Sequence, residues 1–115
     1  MIVLLVEDND ELRTLLETSL GEEFEIVSCA GGDEGLQILR RARVDVLLTN
    51  LALPGVRGEA LAAEAHTLIP RVPVVAISGD LARLEVMRPL VDAVVPKPSP
   101  LAAVRAALHR AVRSR

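Results

Sequence analysis

Five polar residues stand at the same end of four short apolar runs, and their types suit one kind of chemistry. Glu7 and Asp8 close the run Ile2–Val6, Asn50 closes Val44–Thr49, Ser78 closes Val72–Ile77, and Lys97 follows Asp92–Val95. Two adjacent carboxylates suit a hard divalent cation such as Mg²⁺, which takes oxygen ligands and keeps several waters. An ammonium group beside them offsets their charge and holds an anion. Singly, each residue has a plainer role. An acidic pair ahead of a helix favours its N-terminus, and a Ser or Lys at a strand end is usually solvated. Recurrence at the ends of four separate runs sets these residues apart.

The apolar runs read as buried strands alternating with helices. After Ile2–Val6, Asn9 or Asp10 can cap a helix with the stripe Leu12, Leu15, Leu16 and Leu20, ending at Gly21. Phe24–Ser28 is a second strand, and Gly31-Gly32-Asp33 turns into a helix with Leu36 and Leu39 inward. Val44–Thr49 is apolar enough to be central. Leu53-Pro54-Gly55 breaks it into a loop, and an Ala-rich helix from Gly58 to Leu68 stops near Pro70. Val72–Ile77 is the fourth strand, with Pro73 near its start, where a missing donor is tolerated. Leu81–Arg88 is a short helix ended by Pro89, and Asp92–Val95 is a weak fifth strand. Pro100 suits the first turn of a last helix bearing Leu101, Val104, Leu108 and Val112.

Five such units imply an α/β fold: an open, doubly wound (βα)5 parallel sheet covered on both faces, whose ligand crevice lies beyond the carboxyl ends of the strands. A closed eight-unit barrel needs about 250 residues. The chain has 115, half of them apolar, which suits one domain over residues 1–115.

Composition narrows the function. Phe24 is the single aromatic, so stacking on bases is disfavoured, and the net charge of −3 argues against nucleic acid as the main partner. The last eleven residues carry Arg105, Arg110, Arg113 and Arg115 with no acid, which reads as a solvated helix end complementing the helix dipole. Cys29 is the lone cysteine, read as a buried thiol suited to a reducing cytoplasm. His66 and His109 lack metal-spaced partners and read as surface or boundary residues. No segment approaches the roughly 20 apolar residues of a membrane span.

The pattern Val6-Glu7-Asp8, Leu47-Leu48-Thr49-Asn50-Leu51-Ala52-Leu53-Pro54-Gly55 with Gly58, Ile77-Ser78-Gly79 and Lys97-Pro98 resembles the receiver domains of two-component response regulators, the CheY-like fold. The resemblance covers essentially the whole chain. It implies a flavodoxin-like sheet in the order 2-1-3-4-5. Asp8 would bind Mg²⁺ directly, Glu7 through water, and the backbone carbonyl of Ala52 would be a further ligand. Ser78 would contact a phosphoryl group and Lys97 would pair with the site's acidic oxygens. The bond from Lys97 to Pro98 is often cis in the family. The implied partners are a sensor histidine kinase or phosphotransfer protein, or an output protein docking on the face of the fourth and fifth helices. The state would be a monomer or weak homodimer.

Two departures bear on function. The family's phosphoacceptor Asp, four residues before the loop Pro, is here Asn50. A receiver needs a carboxylate nucleophile there, and loss of that charge weakens Mg²⁺. Asn50 still offers one oxygen, and its NH₂ is able to donate to Glu7 or Asp8. The family's switch aromatic, three residues before the Lys, is here Val94. The resulting expectation is a non-enzymatic pseudo-receiver acting by protein contact. The alternative is an ordinary phospho-accepting receiver, from a hybrid sensor kinase, carrying an Asp-to-Asn substitution. A small hydrolase lacks an evident nucleophile, and a stand-alone DNA binder lacks a basic stripe outside the tail.

Overall fold

The computed structural model describes residues 1–114, so Arg115 of the basic tail lies outside the described residues. In chain order the elements are β1 (Ile2–Val6), α1 (Asp10–Leu20), β2 (Glu25–Cys29), α2 (Gly32–Arg41), β3 (Val46–Asn50), α3 (Gly58–Thr67), β4 (Val74–Ser78), α4 (Leu81–Met87), β5 (Ala93–Pro96) and α5 (Leu101–Arg113). A 3-10 turn, Arg88–Leu90, follows α4. The strands form one parallel sheet in the order β2-β1-β3-β4-β5. This is the doubly wound α/β fold expected.

Side-chain alternation shows how the sheet is covered. Leu4, Val6, Leu47, Val74 and Ala76 point to one face, where they pack with Leu39, Leu61, Ala65 and Leu84 of α2, α3 and α4. Val3, Leu5, Val46, Leu48, Val75 and Ile77 point to the other, against Leu16, Leu20, Val104 and Leu108 of α1 and α5. With period two and helices on both sides, both faces of the central strands are buried, which favours apolar residues in succession. β3 and β4 are buried throughout, whereas edge strand β2 alternates. Register then aligns the carboxyl ends. Val6 pairs with Cys29 and Thr49, Asn50 with Ile77, and Ser78 with Pro96.

Element edges differ from the sequence expectation in instructive ways. Phe24 does not begin β2. It stays buried before the strand, its ring 5.3 Å from that of His109. β3 begins at Val46, because Asp45 turns its carboxylate to the Ile2 amide at 2.7 Å. β4 begins at Val74, whose amide donates to Asp92 at 2.7 Å. β5 runs one residue further than expected, to Pro96. Pro100 occupies the N-cap of α5 rather than its first turn. Leu15, expected inward, is 53% exposed, since the buried stripe of α1 narrows to Leu16 and Leu20. Asn9 is the α1 cap, accepting from the Leu12 amide at 2.9 Å. His109 stays at the boundary, paired with Glu23, which also binds Arg105 at 3.0 Å.

Candidate functional site

The aligned strand ends bring Glu7, Asp8, Asn50, Ala52 and Lys97 to one crevice. Glu7 is fully buried directly after β1. Its Oε1 accepts from Lys97 Nζ at 2.6 Å, and its Oε2 accepts from the Asn9 amide at 3.0 Å. A buried carboxylate is tolerated only with such donors. Asn50 ends β3 and is also buried. Its Oδ1 accepts from the Leu51 amide at 3.0 Å. Its Nδ2 donates to Asp8 Oδ1 at 2.9 Å and to the Ala52 carbonyl at 3.0 Å, with Glu7 Oε2 at 3.5 Å. Oxygen and nitrogen are set by this network: reversing the amide would point oxygen at three oxygens and strip the Leu51 amide of its acceptor.

The loop after β3 is built to hold that position. Gly58 donates to the Leu51 carbonyl at 2.9 Å, and a Cβ on Gly58 would lie 2.2 Å from the Asn50 carbonyl oxygen. Gly55 adopts φ +72°, where a side chain would also collide with Asp33. The Pro-Gly signal was legible in the sequence; the close approach at Gly58 was not.

Two of the expected residues stand apart from this network. The Ser78 hydroxyl accepts from the Asp80 amide at 3.0 Å, and the Ser78 carbonyl accepts from the Lys97 amide at 2.9 Å. Val94 is partly buried on β5, packed against the core shared with α2, α3 and α4. The Lys97–Pro98 bond is cis.

Several residues that the sequence reading passed over also shape the crevice. Arg13 donates to the Glu7 carbonyl at 2.9 Å. Arg83 donates to the Leu51 carbonyl at 3.2 Å while holding Glu59 with two contacts of 2.7 and 2.8 Å. An open pocket of about 410 Å³ lies between Asp8, Leu53, Arg57 and Arg83. An Arg inside a helix carries no signal in sequence, because its reach back to a strand end depends on helix docking.

Electrostatics follow the contacts. Burial pushes the Asp8 carboxyl up, but hydrogen bonding with Glu7 and Asn50, its own backbone amide and the charge of Lys97 outweigh this and hold it below the ordinary value. Burial, assisted by Glu34, pushes the Cys29 thiol up to about 11, so the lone cysteine is an inert buried thiol.

The residues from 3 to 109 match the pattern of the response regulator receiver domain. The chain belongs to that family. Receiver relatives occur both in transcriptional regulators and in sensor kinases. Transcriptional regulatory protein AfsQ1 of Streptomyces coelicolor is 40% identical over 57 residues, 49% of this chain and 25% of that protein. Autoinducer 1 sensor kinase/phosphatase LuxN of Vibrio campbellii is 27% identical over 106 residues, 90% of this chain and 12% of that protein. The chain thus spans a quarter or less of the length of these two relatives. Among solved structures, the receiver domain of a Pseudomonas aeruginosa sensor histidine kinase superposes with a TM-score of 0.84 at 25% identity, covering 97% of each chain. That structure has a magnesium ion coordinated in its active-site cleft.

Glu7, Asp8 and the Ala52 carbonyl offer hard oxygen donors of the kind Mg²⁺ takes. In this chain those oxygens do not fit the ion as arranged, because the Asn50 nitrogen stands among them and Lys97 covers Glu7. Among the described residues no group of three His, Cys, Asp or Glu is placed to hold a metal. No described helix is long and apolar enough to cross a membrane.

Proposed function

We propose that this receiver is a pseudo-receiver of a bacterial two-component phosphorelay, acting by protein–protein contact without phosphorylation at Asn50. One observation carries the reading: the residue at the acceptor place is a carboxamide whose oxygen is committed to the Leu51 amide and whose nitrogen faces Asp8. Phosphoryl transfer would require an oxygen nucleophile to attack phosphorus as the donor's bond breaks. A neutral amide oxygen is a poor nucleophile, and this one already accepts a hydrogen bond. Glu7, Asp8 and the Ala52 carbonyl would bind Mg²⁺ weakly at most, and Val94 offers no ring to swing inward when Ser78 moves.

The contacts proposed are with a sensor histidine kinase or phosphotransfer protein, or with an output protein on the face of α4 and α5. Exposed Val86 and Leu90 near α4, and Arg110 and Arg113 on α5, support an output surface that mixes apolar and cationic groups. The buried free thiol fits a reducing cytoplasm. The proposed unit is one receiver over residues 1–115, as a monomer or weak homodimer.

Intact-mass measurement after incubation with Mg²⁺ and a small phosphodonor tests the reading, with Asn50→Asp alongside. The wild type should gain no phosphoryl group. Asn50→Asp should show no change in hydrogen exchange of α4 and β5, whether or not it gains mass. A variant that takes phosphate and then shifts α4 would overturn the pseudo-receiver. The second reading, an ordinary phospho-accepting receiver with one substituted residue, would replace it. The joint presence of Glu7, Asp8, Ser78 and Lys97 at one sheet edge is what favours that second reading.

A further inference from the structure

Three oxygens from two segments converge on one nitrogen in this crevice. Asp8 Oδ1 and the Ala52 carbonyl lie 2.9 and 3.0 Å from Asn50 Nδ2, and Glu7 Oε2 lies at 3.5 Å. We infer that the Asn50 carboxamide is an internal substitute for a divalent cation, so that the polar crevice is closed by an N–H donor and takes no Mg²⁺. The inference rests on the reading of residue 50 as a position that accepts no phosphate.

Charge supports the substitution. Glu7 and Asp8 carry two negative charges and Lys97 offsets one. A carboxylate at position 50 would restore a second uncompensated charge within hydrogen-bonding reach of the first pair, a demand that a divalent ion meets. A neutral amide removes that charge and supplies two N–H groups to the same oxygens. Geometry makes the arrangement hard to undo. Turning Asn50 away would orphan the amide of Leu51, which is fully buried. The backbone is fixed from the other side, where the Leu51 carbonyl accepts from both the Gly58 amide and Arg83. Room for a cation therefore requires breaking several buried hydrogen bonds at once.

Thermal unfolding with chelator and with millimolar Mg²⁺ reads the inference directly. The wild type should melt at the same temperature in both. Asn50→Asp should melt about 5 °C lower in chelator and recover with Mg²⁺, since a ligand bound only by the folded state stabilises it. Asn50→Ala, lacking the amide, should also melt below the wild type in chelator. A wild-type melting temperature that rises saturably with Mg²⁺ as far as that of Asn50→Asp would overturn the proposal, as would an Asn50→Asp protein indifferent to Mg²⁺ and as stable as the wild type. Should Asn50→Asp not fold, Mn²⁺ added to the wild type decides: broadening of the Asp8 and Ala52 amide resonances refutes an internally closed site, and unchanged resonances uphold it. These outcomes are read without phosphorylation, so failure of the closed site is distinguishable from failure of the pseudo-receiver reading.

Discussion

Carboxylates are buried at both edges of the sheet, and the two edges use them differently. At the amino edge, Asp92 accepts from Arg71 through both oxygens at 3.0 Å, from the Val74 amide at 2.7 Å and from the Ser114 hydroxyl at 2.8 Å. Asp45 accepts from the Ile2 amide and from Arg43 at 3.4 Å. Each carboxylate there closes a strand's first amide and meets an arginine. At the carboxyl edge, Glu7 and Asp8 are adjacent, share one Lys and lean on the same amide. The first arrangement spends its charge on folding. The second leaves like charges side by side, an arrangement stability alone does not favour and one typical of sites with a task.

The largest effect expected from breaking this contrast is at the amino edge. Asp92→Ala would leave the buried Val74 amide without its acceptor and Arg71 without its partner. Loss of about 2–3 kcal/mol of stability is expected, read from urea denaturation midpoints. A loss below about 0.5 kcal/mol would mean the amino edge is no more committed to folding than the crevice.

Acid should sharpen the same contrast. Burial pushes the Asp92 carboxyl up, but the bonds from Arg71, Val74 and Ser114 outweigh it and hold the group below the ordinary value of 3.8. A depressed folded-state value means the stabilisation is fully present above the unfolded value and is lost as pH falls through the folded one. The wild type should therefore exceed Asp92→Asn in stability at neutral pH, and the gap should narrow as pH falls below about 4. Denaturation midpoints of both proteins across that range check the sign. A gap that widens in acid would contradict it.

The carboxyl edge was legible in sequence and the amino edge was not, for a physical reason. Glu7-Asp8, Asn50, Ser78 and Lys97 each interrupt an apolar run at its downstream end, where a doubly wound sheet gathers its strands, so composition and order alone assemble them. Asp45 and Asp92 sit at the upstream ends, where a polar residue looks like the start of any strand. Their partners Ile2, Val74 and Arg71 lie far away in sequence and are fixed only by register. The same limit applies to Arg83, whose contact with Leu51 depends on how α4 docks. Strand existence and order were readable because β1, β3 and β4 are apolar along their length and turn polar only toward the carboxyl ends of β3 and β4. Their first residues were misplaced by two in β3 and β4 because the side-chain capping by Asp45 and Asp92 leaves no local signature.

The smallest expected effect is the one that most directly separates the edges. Asp8→Asn makes the same chemical change as Asp92→Asn, but at the exposed member of the crevice pair. Among side chains Asp8 accepts from the Asn50 amide, beside a bond to its own backbone amide, and it lies next to fully buried Glu7. Neutralising it removes a favourable hydrogen bond and an unfavourable like charge together, and solvent screens both. Stability should change by less than about 0.5 kcal/mol in either direction. Equal losses for the two Asn variants, measured in the same denaturation series, would mean that Asp8 is held for folding as Asp92 is. A small change at Asp8 beside a large one at Asp92 would mean the crevice keeps its second carboxylate for contact with something outside the chain.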